Sequence, residues 1–146
     1  MIEIDRLSAE VVDASVRIHR GLGPGLLESV YEAVLAASLM REGMEVCRQR
    51  PVDIEFDGLK LPAAFRADLV VEGRLVVEIK SVDRLAPVHA KQLLTYLRLM
   101  KQPVGLLLNF GGETMKEGIR RLVNDYRSPQ SFSASPRLRA KNEYGA

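Results

Sequence analysis

Tryptophan is absent from the sequence, and cysteine occurs once, at Cys47. A single thiol excludes an internal disulfide and any zinc site built from several cysteines, and it fits a reducing cytoplasm. Aromatic residues are only 5% of the chain, so its core must be aliphatic. No apolar run approaches the length of a membrane span. The opening residues Met1-Ile2-Glu3-Ile4-Asp5 lack the basic and apolar regions of a signal peptide. His19 and His89 are far apart and have no metal-ligand spacing, so each is expected at the boundary or the surface. A strong charge of either sign is missing too. The net charge is +2. The segment 127–146 alone carries +3, four basic residues against Glu143, and taking it away leaves the body at −1. A nucleic-acid site on the body therefore needs local clustering of basic residues.

What is present is the balance of a soluble globular domain, with 47% hydrophobic and 27% charged residues over 146 positions. One domain is expected over 1–126. The segment 127–146, rich in Ser, Pro and Arg, is expected to be a disordered basic tail, because its low hydrophobicity cannot offset the entropy of ordering.

Ser8 suits the cap of a helix over 8–20. Gly21-Leu22-Gly23-Pro24-Gly25 breaks it. This glycine-rich run follows a helix rather than a strand and lacks a following Lys-Ser/Thr, so it reads as a hinge and not as a phosphate-binding loop. A second helix is expected over 26–41 and an extended segment over 45–56, with Pro51 marking an edge strand or a bend. Asp57-Gly58 reads as a hairpin turn. Strands follow over 65–71 and 75–79. Pro87 precedes a helix over 88–101, and the apolar run 104–110 suits a strand buried on both faces. A last helix is expected over 114–126. The order α-α-β-β-β-β-α-β-α describes an α/β fold, a mixed sheet flanked by helices.

The most informative segment is the hairpin around Glu72-Gly73-Arg74. With these three residues as its loop, Val71 faces Leu75 and Asp68 falls directly across from Glu78. Alternation along the strand projects Lys80 from the same face as Glu78. A two-residue turn would shift the register by one and separate Asp68 from Glu78. Adjacent carboxylates repel one another, and a divalent cation, which prefers oxygen ligands, removes that cost. Lys80 would then orient a water or stabilise charge on a phosphate oxygen. The competing reading is a plain ion pair at a sheet edge, which three such groups on one face of two very apolar strands make the weaker choice.

Two helices add polar groups. Glu28 lies on the apolar arc with Leu27, Tyr31, Leu35 and Leu39. Either it complements the dipole in the first helical turn, or it reaches the metal or its water. Glu32, one turn on, reads as solvated. On the third helix Gln92 and Tyr96, four apart, share the side between the core arc and the solvent face. They are either an ordinary boundary pair or groups facing the carboxylates. Arg66 shares the face of Asp68 and either meets a phosphate or neutralises that acid. Lys60 is a weaker candidate.

Asp68 followed by Glu78-Ile79-Lys80 resembles the D…(D/E)-x-K core of the PD-(D/E)XK nuclease superfamily, with Ala67 where the name-giving pattern has Pro. Gln92-Leu93-Leu94-Thr95-Tyr96 is similar to the Q-x-x-x-Y helix of its RecB-like branch. Gly25-Leu26-Leu27-Glu28-Ser29-Val30-Tyr31 resembles the signature of the small bacterial GxxExxY proteins. The likeness runs over about 22–123. It implies a restriction-endonuclease-like core, a Mg²⁺ or Mn²⁺ cofactor, and hydrolysis of phosphodiester bonds in nucleic acid, most naturally DNA. It also implies Asp68 and Glu78 as metal ligands, Lys80 as the catalytic lysine, Glu28 as an additional acid, and Gln92 and Tyr96 as supporting groups. Fold alone does not fix function. A non-catalytic module that binds nucleic acid or protein is the alternative. A homodimer is a further expectation, since cutting both strands of a duplex is simplest with two sites.

Overall fold

The computed structural model describes residues 2–124 and the backbone of Ala140–Asn142. Helix α1, Ile4–Leu22, buries Ile4, Leu7, Val11 and Ala14 at the three- and four-residue spacing of one helical face. It starts earlier than expected, with Glu3 as its N-cap, and Ser8 lies buried inside it. Gly23, at φ 76°, ends it and donates its N–H to the His19 carbonyl at 2.8 Å. Helix α2, Glu28–Arg41, follows the glycine-rich hinge and buries Tyr31, Leu35, Ala36 and Leu39.

The strands are β1 (Val46–Phe56), β2 (Leu59–Val71) and β3 (Leu75–Lys80). After them come helix α3 (Pro87–Met100), β4 (Val104–Asn109), β5 (Ile119–Asn124) and β6 (Ala140–Asn142). They form one sheet in chain order, β1 to β6. Every neighbouring pair is antiparallel except β3 and β4, which run parallel with α3 as the crossover between them. The mixed sheet flanked by helices agrees with the expected class.

Helices α1 and α2 cover one face, packing on Leu69, Val71, Leu75, Val77, Ile79, Leu106 and Leu108. Helix α3 covers the other with Leu93 and Leu97, which meet Val70, Val76, Leu107 and Leu122. Strand β4 is buried at every residue, as its continuous apolar run predicts. Gly105 lets α3 settle closely, since a β-carbon there would stand 3.1 Å from Leu97.

The element order differs from the expectation in two places. Three strands rather than four precede α3, and Pro51 lies inside β1, as the edge-strand reading of it had it. Strand β1 is the sheet's first strand and pairs only with β2, so the missing N–H of Pro51 is tolerated. The segment expected as a last helix over 114–126 is instead a 3₁₀ turn, Lys116–Gly118, leading into β5. Met115, Ile119 and Leu122 have helical spacing. Pairing of Ile119–Asn124 with β4 overrides it, because β4 would otherwise be left with an open edge in the core. Gly118 makes that turn possible, since a β-carbon there would lie 2.4 Å from the Asn109 carbonyl oxygen. The tail expected over 127–146 lies outside the described residues apart from Ala140–Asn142, whose backbone pairs with β5. No helix among the described residues is long and apolar enough to cross a membrane.

Candidate active site

The β2–β3 hairpin turns through Glu72-Gly73-Arg74, with Val71 opposite Leu75. Glu72 and Gly73 both take positive φ, 54° and 66°. The ordinary main-chain ladder stops at Leu69 opposite Val77. Beyond it two carboxylates take over the main-chain donors. The Asp68 N–H donates to Glu78 Oε2 at 2.8 Å, and the Ile79 N–H donates to Asp68 Oδ2 at 2.8 Å. This reciprocal clamp holds two acids side by side where the strands part, as the three-residue loop requires.

Glu78 is 5% exposed. Burial pushes its carboxyl up to about 8, and neighbouring Asp68 adds to the rise, with a smaller contribution from Glu28. The hydrogen bond from Asp68 and the Lys80 ammonium act in the opposite direction. Its Oε1 has no hydrogen-bond partner among the described residues. Lys80 is half-buried, on the same side of β3 as Glu78.

Helix α2 approaches this end of the sheet from the other face. Glu28 is exposed in its first turn, and its Oε2 accepts the Ser81 N–H at 3.3 Å, just past Lys80. Both readings of Glu28 meet here, since the acid stands at a helix start and also close enough to influence Glu78. Tyr31 explains how the preceding loop is held. Its ring stacks on Phe110 with centroids 4.5 Å apart. Its hydroxyl donates to the Gly23 carbonyl at 2.6 Å and accepts the Leu26 N–H at 3.1 Å. Ser81 Oγ closes the junction by donating to the Leu26 carbonyl at 2.7 Å. A cavity of about 520 Å³ opens beside it, lined by Leu26, Glu28, Ser81 and Asp83.

The strand after Lys80 is fixed by Asn109, which sequence reasoning missed. Its buried carboxamide accepts the N–H groups of Val82 and Gly111, at 2.9 and 3.0 Å, and donates to the Val82 carbonyl at 2.9 Å. A side chain on Gly111 is excluded, because its β-carbon would lie 2.3 Å from the Val82 oxygen.

From α3, Tyr96 reaches the site half-buried, stacked on Phe65 at 3.9 Å. Its hydroxyl is pushed above the usual range by burial and then by Glu78 and Asp68. Gln92 lies one turn earlier and exposed, with no hydrogen-bond partner among the described residues. Arg66 is exposed and donates to the Gln49 carbonyl at 3.3 Å rather than to Asp68. Lys60 is exposed near the end of the β1–β2 hairpin.

Two expectations are corrected, those for Glu32 and His19, and a third, for His89, holds. Glu32 is buried rather than solvated, 5% exposed, and holds Arg48 Nε at 3.1 Å and Gln49 Nε2 at 2.6 Å. The helical stripe could not reveal this, because both partners come from β1. His19 is also buried, its Nε2 2.9 Å from the Gly112 carbonyl oxygen. His89 is half-buried and accepts the Ala86 N–H at the start of α3. Among the described residues no group of three or more His, Cys, Asp or Glu is placed to hold a metal ion. The oxygen donors on hand are the carboxylates of Asp68 and Glu78, a set that suits a hard cation retaining several waters.

The chain belongs to the PD-(D/E)XK nuclease superfamily, whose family model matches residues 5–122. No curated protein and no solved structure matches it.

Proposed function

We propose that the protein is a nuclease that hydrolyses phosphodiester bonds in DNA with Mg²⁺ or Mn²⁺ held between Asp68 and Glu78. The observation that carries this reading is the paired carboxylates, one of them buried and holding its proton near neutral pH, at the point where two apolar strands part. Burying such a pair is costly without a compensating charge. A bound divalent cation supplies that charge, polarises the phosphate and makes bound water a better nucleophile. Lys80, beside Glu78, orients the attacking water or stabilises charge building on a phosphate oxygen.

Glu28, held at Ser81, is the additional acid at the edge of the site. Tyr96, kept protonated by its surroundings, donates its hydroxyl to the substrate or its water, and Gln92 lines the approach. Arg66 offers a weak phosphate contact. The cavity beside Glu28 leaves room for a strand of substrate. Gly25, Glu28 and Tyr31, with the loop they hold, support membership of the GxxExxY group. The Gln92–Tyr96 pair supports the RecB-like branch.

Incubation with linear, nicked, branched and single-stranded DNA, and with RNA, is expected to give cleavage of DNA that needs Mg²⁺ or Mn²⁺ and stops with chelator. The body's charge of −1 favours a second reading, a non-catalytic module that keeps the fold and binds nucleic acid or protein. Tight binding without cleavage under any metal would support that reading instead.

A further inference from the structure

We propose that Gln49 is a positioning residue for Asp68, held in place by the buried carboxylate of Glu32; the inference rests on the reading of Asp68 as a metal ligand. In the β1–β2 register Gln49 falls opposite Asp68, between the pairs Arg48–Leu69 and Arg50–Ala67, at a point where the strand pairing lapses. Its backbone has φ 51°. This left-handed conformation is uncommon for a residue with a side chain and is costly to hold. Asp57 and Glu72 adopt it in hairpin turns, where chain reversal explains it. Gln49 lies inside a strand, so no reversal accounts for its conformation.

The side chain shows what the conformation achieves. Gln49 Nε2 donates to Glu32 Oε1 at 2.6 Å and to Asp68 Oδ1 at 3.2 Å. Both neighbours are carboxylates, so the amide must present its NH₂ group to them. The reversed amide would set its oxygen against two acids. Glu32 is fixed in turn by Arg48, whose Nε donates to Oε2 at 3.1 Å. A carboxylate this deeply buried is costly unless its oxygens are satisfied, and here Arg48 and Gln49 satisfy one each. Asp68 consequently accepts Ile79 N–H on Oδ2 and Gln49 on Oδ1. Its plane is fixed, with lone pairs left over for a cation. Hydrogen bonds of this kind orient metal ligands, and their loss typically weakens metal affinity or activity by about 10–100-fold.

The test is calorimetric Mn²⁺ titration together with thermal melting in chelator, for the wild type, Gln49→Gly, Glu32→Gln and the double variant. Glycine adopts positive φ freely, so Gln49→Gly deletes the amide while relieving the backbone. It is expected to bind Mn²⁺ about 10–100-fold more weakly, while its melting temperature balances the relieved backbone against the Glu32 oxygen left without its amide donor. Glu32→Gln is expected to weaken binding too, and the double variant to bind no more weakly than Gln49→Gly, because both changes act through one amide. A purely structural role for Gln49 would leave affinity unchanged whatever happens to the melting temperature. Gln49→Gly that is folded and binds Mn²⁺ like the wild type overturns the proposal while the metal role of Asp68 stands. A wild type that binds no Mn²⁺ overturns both together. Where Glu32→Gln does not fold, Gln49→Gly decides alone.

Discussion

At the scale of single residues, the site is defined by what each acid must tolerate. The Glu78 carboxyl is raised from 4.5 to about 8, chiefly by burial and next by Asp68. A group whose folded pKa is raised contributes stability that is fully present below its unfolded value and is lost as pH rises through the folded value. The metal-free protein is therefore expected to lose stability between roughly pH 4.5 and 8. Glu78→Gln should remove that part of the dependence. Thermal melts in chelator across this window read it directly, and parallel curves for the two proteins would refute the assignment. Lys80 has a different part. Lys80→Ala should abolish cleavage but leave Mn²⁺ affinity within about tenfold, since losing a nearby positive charge if anything favours the cation. Cleavage assays paired with titration separate the two effects. Asp68, Glu78 and Lys80 were legible in the sequence because a three-residue loop and strand alternation fix their positions. Glu32 and Gln49 were not. A helical stripe does not show which side chains meet a partner from another element, and a left-handed glutamine has no local signature.

At the scale of elements, the site depends on two junctions that bring loops against each other. In the first, the Tyr31 hydroxyl ties Gly23 and Leu26 to the start of α2, which sets Glu28 beside Ser81. Tyr31→Phe keeps the stacking on Phe110 but leaves the Gly23 carbonyl and Leu26 N–H without this partner. It should cost about 1–3 kcal/mol in chemical denaturation and lower cleavage more than metal affinity. Unchanged stability would show that water replaces the hydroxyl. In the second, Gly111 lies against Val82 so closely that a β-carbon would stand 2.3 Å from the Val82 oxygen. Gly111→Ala should destabilise the protein by about 1–3 kcal/mol and displace the strand end after Lys80. A variant with wild-type denaturation and activity would mean that the loops separate without cost. The helices and central strands were readable because their apolar periods are strong. Strand β5 was not, since Met115, Ile119 and Leu122 fit a helix as well, and only the edge of β4 decides between the two.

At the scale of the whole molecule, the helices described cover both faces of the sheet, α1 and α2 on one and α3 on the other. The β1–β2 hairpin extends away with Phe56, Leu59 and Leu61 exposed near its tip. Exposed apolar side chains on a paired ribbon favour self-association, and two copies would supply two sites for a duplex. Sedimentation at micromolar concentration should show a dimer that Phe56→Ser weakens, and a monomer in the wild type would refute this. Whatever the oligomer, the account requires that Asp68 and Glu78 hold a divalent cation. Calorimetric titration with Mn²⁺, in the presence and absence of DNA, addresses this most directly. The wild type is expected to bind. Asp68→Asn is expected to lose binding and cleavage together while remaining folded, because removing one of two repelling acids relieves the metal-free site. A folded wild type that binds no Mn²⁺, with or without DNA, would contradict the account.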